Sequence, residues 1–155
     1  MDTNINIDGG DELARETHRM AIKVPSSLYG MVRDSCLMVE TRAKTHHLAG
    51  ATLDYQTHRL QHSVKTQMSM SPFGGGPTVS GRVGSPIAYA AIHEFGGIIK
   101  PVNAKFLVFR IDGETIFAKQ VKIPKREWLS KSLADVHPMI DQIFGKHIKL
   151  LVEGA

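Results

Sequence analysis

Two apolar runs, KFLVFRI (105–111) and ETIFAKQVKI (114–123), stand on either side of Asp112-Gly113. Both are rich in β-branched and aromatic residues, and Asp-Gly supplies the positive φ that a tight two-residue hairpin turn demands. An antiparallel hairpin is therefore the firmest local constraint, and Pro124 ends its second arm. Such a hairpin needs covering layers. Leu28, Met31, Val32, Cys36, Val39 and Ala43 recur at spacings of three and four, one stripe of a helix that reaches about Lys44, with Arg33, Asp34, Glu40 and Arg42 on its opposite face. Trp128, Leu129 and Leu133 lead into a second helix, which Pro138 interrupts or restarts and which Ile140, Ile143, Phe144, Ile148 and Leu151 continue. The expected class is α+β: an antiparallel β-sheet with a long N-terminal helix and a C-terminal helix packed on it.

The connecting segments read less sharply. NINI (4–7) alternates like a short edge strand before the turn Asp8-Gly9-Gly10, and DELARETHRM reads as a short helix capped by Asp11. Pro25 is expected to break that helix, with Ser26 or Ser27 capping the next. THHLAGATLDYQT has no clear period and reads as a loop. In RLQHSVKTQMSM the alternation of Leu60, His62, Val64, Thr66 and Met68 predicts a strand, and TVSGRVGS another. SPFGGGP between them is a flexible turn or long hairpin tip. It is no phosphate loop, because Pro77-Thr78 stands where a Lys-Ser/Thr pair is required.

At 155 residues, 42% apolar and 22% charged, the chain fits a single folded domain. No apolar run approaches the roughly 20 residues of a membrane span, and the acidic start lacks a basic then apolar leader, so a cytoplasmic protein is expected. Cys36 lies among apolar neighbours and reads as a structural thiol. Residues 1–70 carry 8 basic and 8 acidic side chains, residues 71–155 carry 11 and 7, so the surplus of +4 belongs to the second half. Lys100, Lys105, Arg110, Lys119, Lys122, Lys125, Arg126 and Lys131 face only Asp112, Glu114 and Glu127 in that stretch. Such a run suits either a solvated face or contact with phosphates or an acidic protein.

His93-Glu94 in YAAIHEFGGIIKP raises the question of a zinc hydrolase. That chemistry needs His-Glu-x-x-His, two imidazoles one turn apart with Glu as base, and Gly97 stands at the second histidine. The alternative is a brief helix, IAYAAIHEF, packing through Ala88, Ala91 and Ile92, whose Gly96-Gly97 exit permits positive φ into the next strand. His46-His47 are adjacent and point different ways on a helix, and His58 and His62 straddle a junction, so surface or hydrogen-bonded roles are expected rather than metal ligation.

Two motifs carry a resemblance. Tyr89, Ala90, Glu94, Phe95 and Gly96 match a Tyr-Ala-x-x-x-Glu-Phe-Gly segment; Ile123, Pro124, Arg126 and Leu129 match an Ile-Pro-Ala-Arg-Pro-Phe-Leu segment, with Trp128 for its Phe and Lys125 and Glu127 for its small residue and second proline. HRLQHSV is similar to Gly-x-Leu-x-x-Ser-Ile, keeping Leu60, Ser63 and Val64 but with His58 where glycine is common. In this order, over about residues 5–145, the chain resembles the tail-completion and neck proteins of tailed bacteriophages, also called virion morphogenesis proteins. The resemblance implies a noncatalytic virion subunit without cofactors, assembled in the bacterial cytoplasm into a ring, commonly sixfold. Such a ring joins the connector or head-closure protein to the tail tube. Residues 1–10 and 70–80 are then flexible or ordered by neighbouring subunits. Tyr89, Ala90, Glu94, Phe95, Gly96, Gly97, Ile123, Pro124, Arg126, Trp128 and Leu129 become the structural motif and candidate subunit interface. Lys100, Lys105, Arg110, Lys119, Lys122 and Lys125 become a face for DNA in the channel or for a partner. A small nucleic-acid-binding domain and, behind it, a metallohydrolase using His93 and Glu94 are the rival readings.

Overall fold

In the computed structural model, residues 10–53, 58–73, 76–111 and 113–153 are described. The expected NINI strand and the turn residue Asp112 lie outside them. Helix α1, Gly10–Arg42, runs unbroken for 33 residues with Pro25 inside it. The expected break is thus corrected. Proline removes one N–H and crowds the preceding turn, but helical pattern continues on both sides of it. Ser26 does not cap a second helix; its hydroxyl donates back to the Lys23 carbonyl at 2.8 Å. Before Pro25 most of α1 is exposed, Leu13 and Ile22 included, whereas Met31, Val39 and Ala43 are buried as the apolar stripe predicts.

From Ala43 to Ala51, where a loop is expected, the chain widens into a π-helical segment. It unwinds at Ala49 and at Gly50, whose φ of +116° suits glycine, and the Thr52 and Leu53 amides both donate to the His47 carbonyl. A short helix α2, Arg59–Ser63, then replaces the first half of the predicted strand. His58 enters it left-handed, with φ +49°, which gives a physical reason for glycine at that place in the resembled proteins. The alternation holds only from Val64 onward, in strand β1, Lys65–Phe73.

The strands form three two-stranded antiparallel ladders. β1 pairs with β2, Gly76–Gly84, from Lys65 opposite Gly84 to Phe73 opposite Gly76. Helix α3, Ala88–Phe95, follows, then β3, Gly97–Ile99. The expected hairpin forms between β4, Leu107–Ile111, and β5, Glu114–Ala118, with Gly113 at φ +87°. The second apolar run is not one strand: it breaks at Lys119-Gln120, and β6, Val121–Ile123, returns to pair with β3. Helix α4, Trp128–Glu153, closes the chain and keeps Pro138 within it. The class is α+β, with both expected helices and antiparallel pairing throughout.

Helix α1 is the common support, since α4 and the β1–β2 hairpin both pack on it. Its contact with α4 carries reciprocal His–Asp pairs: His147 of α4 meets Asp34 of α1 at 2.9 Å, and His47 meets Asp135 of α4 at 3.0 Å. Asp135 also accepts from Arg42 at 2.7 Å. The hydrogen bond from His147, aided by Arg33, holds the Asp34 carboxyl below the usual carboxylate range. A second core, Ala43, Leu48, Leu53, Val64, Ala90 and Trp128, gathers where the π segment, β1, α3 and α4 converge.

Gly81 of β2 sets how closely the hairpin sits on α1, because a Cβ there would run into Cys36 Sγ and approach Val32 Cγ1 to 3.1 Å. Gly81→Val is expected to cost about 1–3 kcal/mol by overpacking. Gly145→Ala, on α4 with nothing near its missing Cβ, is expected to stabilise by about 0.5–1 kcal/mol. Urea unfolding of the two variants checks both signs.

Candidate functional site

The YAAIHEFGG motif and the IPKREWL motif meet in space, where α3 seizes the start of α4. Helix α4 carries no acidic residue in its first turn, and the residue before it, Glu127, is left-handed at φ +57°. Its leading amides therefore need an acceptor from elsewhere. Glu94 provides it. Oε2 accepts from the Leu129 amide at 2.8 Å, and Oε1 accepts from the Ser130 amide at 3.0 Å and the Ser130 hydroxyl at 2.5 Å. A buried carboxylate is thereby satisfied by the donors and positive end of a helix. The Arg126 and Glu127 amides donate to the His93 and Glu94 carbonyls, and the Trp128 indole donates to the Ala90 carbonyl at 3.3 Å.

The packing face of α3 is thus Ala90 and Glu94, one turn apart and buried. The expected Ala88 and Ala91 are exposed, and Ile92 is half-buried. The two glycines also divide their work differently from expectation. Gly96 alone takes positive φ, +71°, and a Cβ on it would stand 2.8 Å from the Lys125 backbone nitrogen. Gly97 lies against Ile92, where a Cβ would come to 3.2 Å.

The geometry also bears on the hydrolase reading. Both Glu94 oxygens are committed to α4, so this carboxylate is not placed to serve as a base. His93 packs edge-on against Tyr89, its Nδ1 buried without a hydrogen-bond partner. Burial, with the Arg126 guanidinium nearby, pushes the His93 pKa below the ordinary 6.5.

Of the motif residues, Ala90, Glu94 and Trp128 are buried within the chain, and Ile123 and Leu129 are half-buried. Arg126 reaches back to the Thr52 carbonyl at 3.4 Å. Tyr89, Pro124 and above all Phe95, 72% exposed, face outward. Phe95 stands at an apolar groove of about 470 Å³ between α1, β2 and α4, lined among others by Val32, Cys36, Val39, Leu133 and Phe144.

The basic residues Lys100, Lys105, Arg110, Lys119, Lys122 and Lys125 are all exposed, though Lys125 is paired with Glu127 at 2.6 Å. Arg110 shares its hairpin face with a pair the sequence reading did not single out. Val108 lies directly opposite Phe117, and both are more than 60% exposed. The signal was present, since alternation in KFLVFRI and ETIFA makes both faces of this hairpin apolar. Among the described helices and strands, the hairpin packs extensively only on itself, with the Leu107 and Phe109 face half-buried.

Residues 37–149 match the model of the phage virion morphogenesis family. No curated protein and no solved structure matches the chain significantly.

Replacing Glu94 by Ala leaves two amides at the head of α4 without their acceptor and is expected to cost about 2–3 kcal/mol. Gly96→Ala, strained in φ and blocked by backbone, is expected to lose about 2–4 kcal/mol, more than Gly97→Ala. Thermal and urea unfolding rank the three.

Protonation of His93 is disfavoured in the fold, so the unfolded chain takes up that proton first as pH drops. Stability is expected to fall as pH decreases from about the ordinary histidine value of 6.5, and His93→Gln should flatten that part of the profile. An unchanged slope in the variant, followed by urea midpoint against pH, contradicts this assignment.

Proposed function

We propose that this chain, which belongs to the phage virion morphogenesis family, is a noncatalytic structural subunit that closes with identical copies into a sixfold ring at the neck of a tailed phage. There it terminates the tail tube and presents a surface to the connector or head-closure protein. The ring assembles in the cytoplasm of the host bacterium. The observation that carries the reading is the β4–β5 hairpin. An isolated two-stranded hairpin is marginal in water, and this one exposes Val108 and Phe117 together while, among the described helices and strands, packing extensively only on itself. A neighbouring copy supplies the missing layer, as a cyclic ring requires different surfaces to meet at each joint. Lys100, Lys105, Arg110, Lys119 and Lys122, exposed on and around the same strands, then line the passage of DNA or meet an acidic partner.

Native mass spectrometry of the purified chain and cryo-electron microscopy of particles test this. A hexamer and a ring of density at the neck are expected. Phe117→Glu should yield folded monomers with unchanged circular dichroism, and particles carrying it should show heads and tails unjoined. A chain that stays monomeric and is missing from finished particles overturns the reading.

A further inference from the structure

We propose that His46, His47 and Asp135 form a binding site for a divalent ion of the zinc class, tying the π-helical segment to α4. One donor atom from each lies within 4.8 Å of the others. Adjacency in sequence speaks against two neighbouring histidines sharing an ion, since on an ordinary helix they diverge. Here they sit in the wider π segment, and their rings meet edge-on with centroids 4.9 Å apart. His47 Nε2 and Asp135 Oδ2 are 3.0 Å apart, near the roughly 3.3 Å that separates two ligands of a tetrahedral zinc ion. Side-chain rotation of His46, which is exposed, closes the remaining gap.

The surroundings resemble a ligand shell already oriented. His47 is buried, and its Nδ1 meets the Thr52 hydroxyl at 2.7 Å. The Thr52 hydroxyl can donate to Nδ1 or accept from Nδ1–H, so the ring can hold its proton there and turn the Nε2 lone pair toward a cation shared with Asp135. Arg42, which donates to Asp135 Oδ2 at 2.7 Å, fixes the carboxylate from its outer side. Its charge opposes the ion and sets a moderate affinity. Two imidazoles and one carboxylate select zinc, nickel or cobalt over magnesium or calcium. Three protein ligands leave a fourth position for water.

The test uses the full chain, stripped with a chelator and titrated with zinc chloride by calorimetry, with cobalt absorption as a second probe. One ion per chain is expected. Affinity should fall about tenfold or more in His46→Ala and Asp135→Asn, and stay unchanged in His137→Ala, an exposed α4 histidine outside the cluster. Saturating zinc should raise the melting temperature of the parent chain but not of His46→Ala. His46 is exposed and lies outside the apolar core cluster, so its variant is expected to keep the fold and decides the matter. Absence of saturable binding, or binding that His46→Ala retains in full, overturns the site. The outcome is independent of ring formation, which native mass spectrometry reads separately.

Discussion

A carboxylate can be buried only where donors replace the water it gives up, and Glu94 is buried because α4 begins beside it with unpaired amides. Each side of this contact answers a deficit in the other. The left-handed entry at Glu127 leaves α4 without a cap of its own, and α3 is too short to stand without tertiary support. Joining them also fixes the chain between. Gly96 turns the exit of α3 so that β3 runs beside β6, and β6 in turn delivers Pro124 and Arg126 to the same junction. The loop thus closed has the β4–β5 hairpin at its far side, so the cap determines from where the hairpin is presented.

The helices are joined by a different kind of chemistry. Between α1 with its π-helical continuation and α4, apolar contact from Met31, Val39 and Val136 is accompanied by His147 on Asp34 and by His47 and Arg42 on Asp135. Apart from His47, which is buried, these paired groups are partly open to solvent, and the exposed pairs contribute modestly to stability. Their value lies in register: one pair per end fixes how far α4 can slide along α1, which apolar contact alone specifies poorly. Gly30 takes part as well, since a Cβ there would meet the His147 ring at 2.7 Å.

Much of this was legible in the sequence where one local signal dominates. Asp112-Gly113 between β-rich arms yields the hairpin, and the spacing of Met31, Val39 and Ala43 yields the buried face of α1. The misreadings arise where a local rule met a tertiary one. Pro25 and Pro138 end helices by propensity, yet both stand within continuous helices. Leu60 and His62 fit a strand period over too few residues to exclude one helical turn. The role of Glu94 is non-local by nature, because its partners lie 35 and 36 residues onward. His-Glu there suggested half of a metal site, while the convergence of His46 and His47 on Asp135 depended on a π-helical turn that periodicity does not announce.

The contact between Gly81 and Cys36 has a use as a gauge. The thiol lies beneath β2 and beside the apolar groove, and burial raises its pKa, so the reactive thiolate is suppressed while the hairpin is seated. As the chain's single cysteine, Cys36 reports on one place alone. The rate at which it takes up an alkylating reagent therefore measures how often the β1–β2 hairpin lifts from α1. That rate distinguishes a hairpin held still on α1 from one that breathes, with no label added to the protein.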